Sequence, residues 1–319
     1  MTLRPTLLAA LLVLCLTAAC GGGSSAEDSA DSETRTVESP FTGEQVEIPT
    51  EPERVVALWR TGAVLVDVGV EPVAALEGEL IPEELVPDVY ATVDDVPTVG
   101  TFEGVDIERL IEADPDLIIG MDHGGLELDY EEISEVAPTV VLDIAEPTDV
   151  WENYPQVADL VGRTTDFEQA DAELDDALAG IKDEFGEDLG DLEATAFGVS
   201  ENAIWVDTSK ALSYQRIVAA GFGYNEEYTD DPERYVDELS QENIASLADQ
   251  DVIFYDVGID GEPAAETQAI LDTASFKRLP AAQAGHVFPL TSGTNYTFEG
   301  AQLQVDDLRA AATELSPTS

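Results

Sequence analysis

The chain is poor in residues that do covalent chemistry and rich in residues that could hold a ligand. It has two histidines and two cysteines, and no Gly-x-Ser-x-Gly or phosphate-loop motif. Gly221-Phe222-Gly223-Tyr224 pairs its glycines but follows a helical segment, so it reads as a helix stop. Carboxylates are the exception: 68 Asp and Glu leave a paired-carboxylate hydrolase open on composition alone. A zinc or manganese site typically needs several His or carboxylate ligands. His123 and His286 cannot build a His-rich one, and no spaced acidic cluster argues for the other kind. What stands out instead is a set of aromatics and one arginine at the ends of apolar runs. Trp59 and Arg60 follow Val55-Val56-Ala57-Leu58, and Met121-Asp122-His123 follows Leu117-Ile118-Ile119. Phe102 stands beside Gly104, and Trp205, Tyr255 and Asn295-Tyr296 occupy similar places later in the chain. In α/β folds such strand-end loops meet the ligand. Aromatics suit an organic ligand there, and Arg60 would offer a charge-assisted donor to its oxygens. Trp59, Trp205 and Tyr255 have a second role open to them, since aromatics beside strands commonly fill core. His123, next to Gly124-Gly125, reads as a loop donor to ligand or water rather than a metal ligand.

The elements that would position these residues alternate strand and helix. From Val46 onward short apolar runs are separated by amphipathic segments, the pattern of a layered α/β fold. The alternation breaks once. Thr165-Asp166-Phe167-Glu168 has the form of a capping box, and Phe167, Ala170, Leu174, Leu178, Ile181 and Phe185 follow at helical spacing. The predicted architecture is two doubly wound α/β lobes, residues 46–163 and 188–319. A single long rigid helix over 164–187 joins them, with a ligand cleft between the lobes. The lobes also echo each other. Asp106-Ile107-Glu108 and Ser240-Gln241-Glu242 each open a helical segment that runs through an acidic turn into a strand. Each glutamate falls in a first helical turn, where the macrodipole alone favours a carboxylate.

Charge narrows the partners. Against 68 acidic residues stand 13 basic ones, a formal net charge of -55. Such a surface cannot displace counterions from nucleic acid or bind an anionic membrane electrostatically. Residues 1–19 read as a removed signal segment: Arg4 is followed by an apolar run too short to span a bilayer. Leu16-Thr17-Ala18-Ala19-Cys20 resembles a bacterial lipobox, with Leu16 one residue earlier than usual. Cys20 is then the lipid anchor and the sole cysteine of the mature chain. Residues 20–45 are expected to be a flexible tether.

Several segments together resemble a known family. Pro52-Glu53-Arg54-Val55-Val56-Ala57-Leu58, Val68-Gly69-Val70-Glu71-Pro72-Val73-Ala74 and Asp114-Pro115-Asp116-Leu117-Ile118-Ile119 carry the likeness in the first half. Ala137-Pro138-Thr139 and Leu279-Pro280-Ala281-Ala282-Gln283-Ala284-Gly285-His286-Val287-Phe288 continue it. In this order they resemble the substrate-binding lipoproteins of ABC importers for ferric siderophores, haem and vitamin B12. The resemblance implies limited closure on the ligand, no chemistry in the cleft and no cofactor. It also implies a monomer on the outer face of the cell membrane, partnered by permease subunits and a cytoplasmic ATPase. In this family a glutamate on each lobe docks with the permease, and Glu108 and Glu242 match those positions. The expected ligand is a ferric siderophore of hydroxamate rather than catecholate type, because Arg60 is the one basic residue assignable to a cleft loop. Arg216 and Arg234 fall in segments the pattern does not place. Haem and vitamin B12 stay open within the family. Outside it stand a secreted carboxylate-dependent hydrolase and a surface scaffold lipoprotein, though a scaffold needs no cleft.

Overall fold

A computed structural model describes residues 33–291 and 296–316. The predicted signal segment, Cys20 and Asn295 lie outside the described residues. The first element is a hairpin, β1 (Thr34–Ser39) paired antiparallel with β2 (Glu44–Pro49). Ser39 fastens it to the first lobe: its hydroxyl accepts from Val141 N at 2.9 Å, and Phe41 N donates to Val141 O at 3.1 Å. The tether expected over residues 20–45 is therefore corrected, since residues 34–45 belong to the fold. Only Val37, Val46 and Ile48 of this polar hairpin reach the core, which hid it from a reading by apolar runs.

The first lobe then runs β3 (Val55–Ala57), α1 (Gly62–Asp67), β4 (Ala74–Ala75), α2 (Pro87–Val93) and a short pair, β5 (Gly100–Thr101) with β6 (Gly104–Val105). It continues with α3 (Ile107–Ala113), β7 (Leu117–Asp122), α4 (Tyr130–Ser134), β8 (Thr139–Asp143), α5 (Thr148–Glu152) and α6 (Tyr154–Leu160). Its sheet has the order β4-β3-β7-β8 with every pairing parallel. Strand residues alternate between two cores. Val55, Ala57, Leu117 and Ile119 enter one, while Val56, Leu58 and Ile118 enter the other. A sheet covered on both faces explains why these strands read as unbroken apolar runs.

Helix α7 (Thr164–Leu189) connects the lobes; its 26 residues give about 39 Å of rise. It extends two residues beyond the predicted end. The capping box does not form: Thr165 is already inside the helix, and Arg163 at the cap position makes no side-chain cap bond. The chain turns out of α6 through Gly162, at φ 68°, which leaves no extended residue to act as a cap. Along α7, Phe167 enters the first lobe's core, while Leu174, Leu178 and Ile181 enter the second's. Each such side chain stabilises its core by about 1.5–3 kcal/mol. One helix is thus seated in both lobes.

The second lobe comprises β9 (Ala194–Ser200), β10 (Ala203–Asp207), α8 (Leu212–Ala219) and β11 (Val236–Ser240), followed by a 3-10 run over Gln241–Asp249. Then come β12 (Val252–Val257), α9 (Ala265–Leu271), α10 (Pro280–Ala284), β13 (Val287–Thr291) and α11 (Phe298–Leu315). The sheet order is β11-β10-β9-β12-β13. Strands β9, β12 and β13 are parallel, whereas β10 pairs antiparallel with β9 and β11. Glu201 and Asn202, at φ 52° and 63°, supply the left-handed pair that a tight β9–β10 hairpin needs.

The lobes are also joined beside α7. Phe298, at the start of α11, lies 4.9 Å from the Trp151 ring and 5.3 Å from that of Tyr154. Tyr154 in turn stacks on Phe167 at 5.6 Å. Asp67, at the end of α1, accepts from Phe298 N at 2.6 Å and from the Tyr154 hydroxyl. A first-lobe carboxylate thereby caps a second-lobe helix. Burial, with Glu299 beside it, pushes the Asp67 carboxyl well above its usual range. No helix among the described residues is long and apolar enough to cross a membrane.

Candidate functional site

The cleft is organised around the turn that follows β3. Arg60 sits there at φ 63°, a left-handed conformation that costs an L-residue about 1–2 kcal/mol. The neighbouring Glu79 holds it. Its buried carboxylate accepts from Arg60 N at 2.9 Å and from Thr61 N and Gly62 N at 3.0 Å each. Gly62 has to be glycine, because a Cβ would lie 2.6 Å from Glu79 Cβ. Burial pushes the Glu79 carboxyl up to about 7, against the pull of those N–H groups and of Arg60. The helix N-terminus at this point is therefore occupied by the protein's own carboxylate.

Held this way, the Arg60 side chain crosses the cleft. Its guanidinium carbon lies 5.2 Å from the Trp59 ring centre and 5.2 Å from that of Tyr296, which belongs to the opposite lobe. One guanidinium nitrogen is 3.6 Å from Glu84. Two chambers flank it. One, of about 220 Å³, adds Glu77, Glu79, Glu84 and Phe102 to these three walls. The other, of about 250 Å³, adds His123, Glu146, Pro147 and Tyr235. Trp59, Arg60 and Tyr296 line both, so the arginine and its two rings form the partition of one cleft. His123 packs edge-on against Trp59 at 4.9 Å. At this second chamber Lys210 of the second lobe pairs with Glu146 of the first at 3.1 Å.

Five of the seven predicted ligand residues come together here: Trp59, Arg60, Phe102, His123 and Tyr296. Trp205 lines a smaller adjoining cavity instead. Tyr255 does not reach the cleft. On β12, Val252 and Phe254 pack into one core, and Tyr255 with Ile253 into that of the other sheet face. Strand alternation turns Asp256, one residue on, to the opposite face, where it lines that adjoining cavity. Arg216 is buried, donating to Gln304 Oε1 at 2.6 Å with its guanidinium 4.6 Å over the Trp151 ring. Burial pulls its pKa down to about 9. Arg234 is exposed and pairs with Glu238 at 3.0 Å. Neither lines a chamber, which leaves Arg60 as the arginine of the cleft. Glu79, Glu84, Glu146, Tyr235 and Lys210 went unseen in the sequence. Nothing in their spacing separates the three glutamates from the other acidic residues.

Glu108 and Glu242 are both exposed and lie outside these chambers. Asp106 caps α3, accepting from Glu108 N at 3.1 Å and Arg109 N at 3.2 Å. The echo is imperfect, because Ser240 makes no side-chain cap bond and the segment after it is 3-10. Among the described residues, no group of three or more His, Cys, Asp or Glu could hold a metal ion.

Known proteins share this fold. The siderophore periplasmic binding protein from the fuscachelin gene cluster of Thermobifida fusca superposes with a TM-score of 0.73 at 24% identity. That superposition covers 84% of this chain and 98% of the other. Two Bacillus subtilis proteins are similar in sequence. "Probable siderophore-binding lipoprotein YfiY" is 28% identical over 184 residues, 56% of this chain and 54% of that protein. "Iron(3+)-hydroxamate-binding protein YxeB" is 28% identical over 197 residues, 60% of this chain and 57% of that protein. The chain thus spans little more than half the length of these relatives. Residues 68–294 match the family described as periplasmic binding protein. Since that match begins just after α1 and runs through β13, taking in three strands of the first sheet, α7 and the whole second sheet, the chain belongs to the periplasmic binding protein family.

Proposed function

We propose that the protein captures a ferric siderophore at the outer face of the cell membrane and hands it to the permease of an ABC importer. The ligand is a complex of neutral or positive charge, a hydroxamate in preference to a catecholate. The partition built by Arg60, Trp59 and Tyr296 carries this reading. It offers one guanidinium and two ring faces to a compact organic chelate, among carboxylates that disfavour an anion. A ferric tris-catecholate carries several negative charges and calls for a cluster of Arg and Lys; the two chambers are lined by Arg60, Glu77, Glu79, Glu84 and Glu146. The siderophore-binding relative supports the siderophore class, and the hydroxamate-binding one is compatible with a hydroxamate. The chain acts by binding, not by catalysis, and a screen of hydrolase substrates should stay silent.

Trp59 gives the assay. Titrating a ferric hydroxamate should quench tryptophan fluorescence, while a ferric catecholate, haem and cobalamin should leave it unchanged. Tight catecholate binding without a hydroxamate response would refute the charge argument. Quenching by haem or cobalamin alone would move the protein to those ligands. Membrane attachment is assigned to a lipid on Cys20, so Cys20→Ala protein should leave the membrane fraction. If it still sediments with membranes, the anchor lies elsewhere.

A further inference from the structure

Beside the cleft, the second lobe holds a cavity of about 80 Å³ lined by Trp205, Asp207, Ser213, Tyr235 and Asp256, among others. Pro147 and Tyr235 are walls of both this cavity and the larger chamber of the cleft, so the two spaces adjoin. The position of its carboxylates follows from the sheet. Asp207 ends β10 and Asp256 lies near the end of β12, on either side of β9. Between them Gly198 makes room, since a Cβ there would stand 2.7 Å from Asp256 Oδ2. The Ser213 hydroxyl donates to Asp207 Oδ2. Asp256 Oδ1 is fully enclosed and has no hydrogen-bond partner among the described residues.

Such a pair is costly to maintain. A buried carboxylate oxygen without a donor loses its hydration and regains nothing. Among the described residues, no lysine, arginine or histidine forms an ion pair with either aspartate. Burial pushes the Asp207 carboxyl up to about 7, and burial with the Asp207 charge beside it raises Asp256 well above its usual range. Among the described residues no ion-pair partner holds the two carboxyls charged, so an ammonium in the cavity would supply what ionises them near neutral pH. A metal ion would need more ligands than these two acids provide. The cavity is about a third the size of either chamber of the cleft, which suits an ammonium head on a short alkyl chain rather than a chelated iron centre. Trp205 and Tyr235, edge to face with centroids 6.4 Å apart, supply aromatic walls that favour a cation.

We propose that this cavity is a subsite for a cationic arm of the ligand, a primary ammonium on a short alkyl chain, with Asp207 and Asp256 as its counter-charges. The iron centre stays in the cleft while the arm passes Pro147 and Tyr235. The inference rests on the function proposed above and deepens it from a neutral or cationic complex to one bearing a terminal amine.

The test compares two complexes on the intact protein: ferrioxamine B, a linear ferric trihydroxamate ending in a primary amine, and the same complex N-acetylated at that amine. Calorimetry should give the amine a dissociation constant lower by on the order of tenfold or more. Asp256→Asn should erase this preference and leave the acetylated complex as tightly bound as before. Asp207→Asn should do the same, which covers the case of one variant failing to fold. Equal binding of both complexes by the unaltered protein overturns the inference and leaves the proposed function standing. A preference that survives both substitutions also overturns it, since the general negative field would then be the cause. Binding of neither complex overturns this inference together with the hydroxamate reading.

Discussion

Arg60 should be a residue whose backbone works against stability while its side chain serves the cleft, and two substitutions separate the parts. Arg60→Ala keeps the left-handed backbone, at φ 63°, and removes the side chain. The lost contacts are two ring faces, at about 0.5–1 kcal/mol each, and a part-exposed ion pair to Glu84 worth about 0–1 kcal/mol. The alanine variant should therefore be less stable by about 1–3 kcal/mol. Arg60→Gly loses the same contacts but releases the backbone cost of about 1–2 kcal/mol, partly offset by the greater freedom of glycine in the unfolded chain. Glycine should consequently exceed alanine by about 1 kcal/mol, or about 2–4 °C in Tm. Urea unfolding measures the difference, provided the slope with denaturant is the same for both. Both variants should lose ligand affinity. Arg60→Lys should recover it only in part, for an ammonium cannot lie flat between two rings. An alanine variant as stable as the glycine one would mean that Glu79 does not hold this turn left-handed, and the reasoning would fail.

Three further outcomes follow from the structure. Glu108→Ala and Glu242→Ala, both exposed and outside the chambers, should leave the ligand dissociation constant unchanged and lower uptake by intact cells; a parallel loss of binding would place them in the cleft. Solution scattering with and without ligand should differ little, because α7, the Phe298 ring contacts and the Asp67 cap all join the lobes; a large contraction would contradict this. Stability should rise as pH is lowered from about 8 toward 5. Glu79 and Asp207 have native pKa values raised to about 7, from 4.5 and 3.8, so between those values the native state holds protons that the unfolded chain has released. Their share of stability is lost as pH rises toward 7. The urea midpoint should follow this trend, with a shallower slope in Asp207→Asn; a midpoint that falls on acidification would reverse the sign.

Much of the fold could be read from the chain because strands covered on both faces leave apolar runs, as at Leu117-Ile118-Ile119 and Val252-Ile253-Phe254. The connecting helix was legible for a related reason: Phe167, Leu174, Leu178 and Ile181 keep one stripe buried. The β1–β2 hairpin escaped because it shows the core only alternate residues. In the cleft, the strand-end rule found Trp59, Arg60, His123 and Tyr296 but mistook parity at Tyr255, where the side chain facing the cavity is Asp256. Glu79 had no local signature at all. It binds the backbone of a turn some seventeen residues earlier, and only the folded chain brings that turn to it. Asp67 and Phe298, 231 positions apart, are an extreme case of the same blindness.

That long reach has a consequence for how the protein is made. Tyr296, a second-lobe residue, packs into the first lobe's core and Phe298 packs against that core. Asp67 likewise waits for the backbone N–H of Phe298, and Tyr154 for its ring. A nascent chain that has completed the first sheet still has an open side until nearly the last helix emerges. The first lobe's core is therefore completed by residues of the second, and its final packing depends on both halves of the fold.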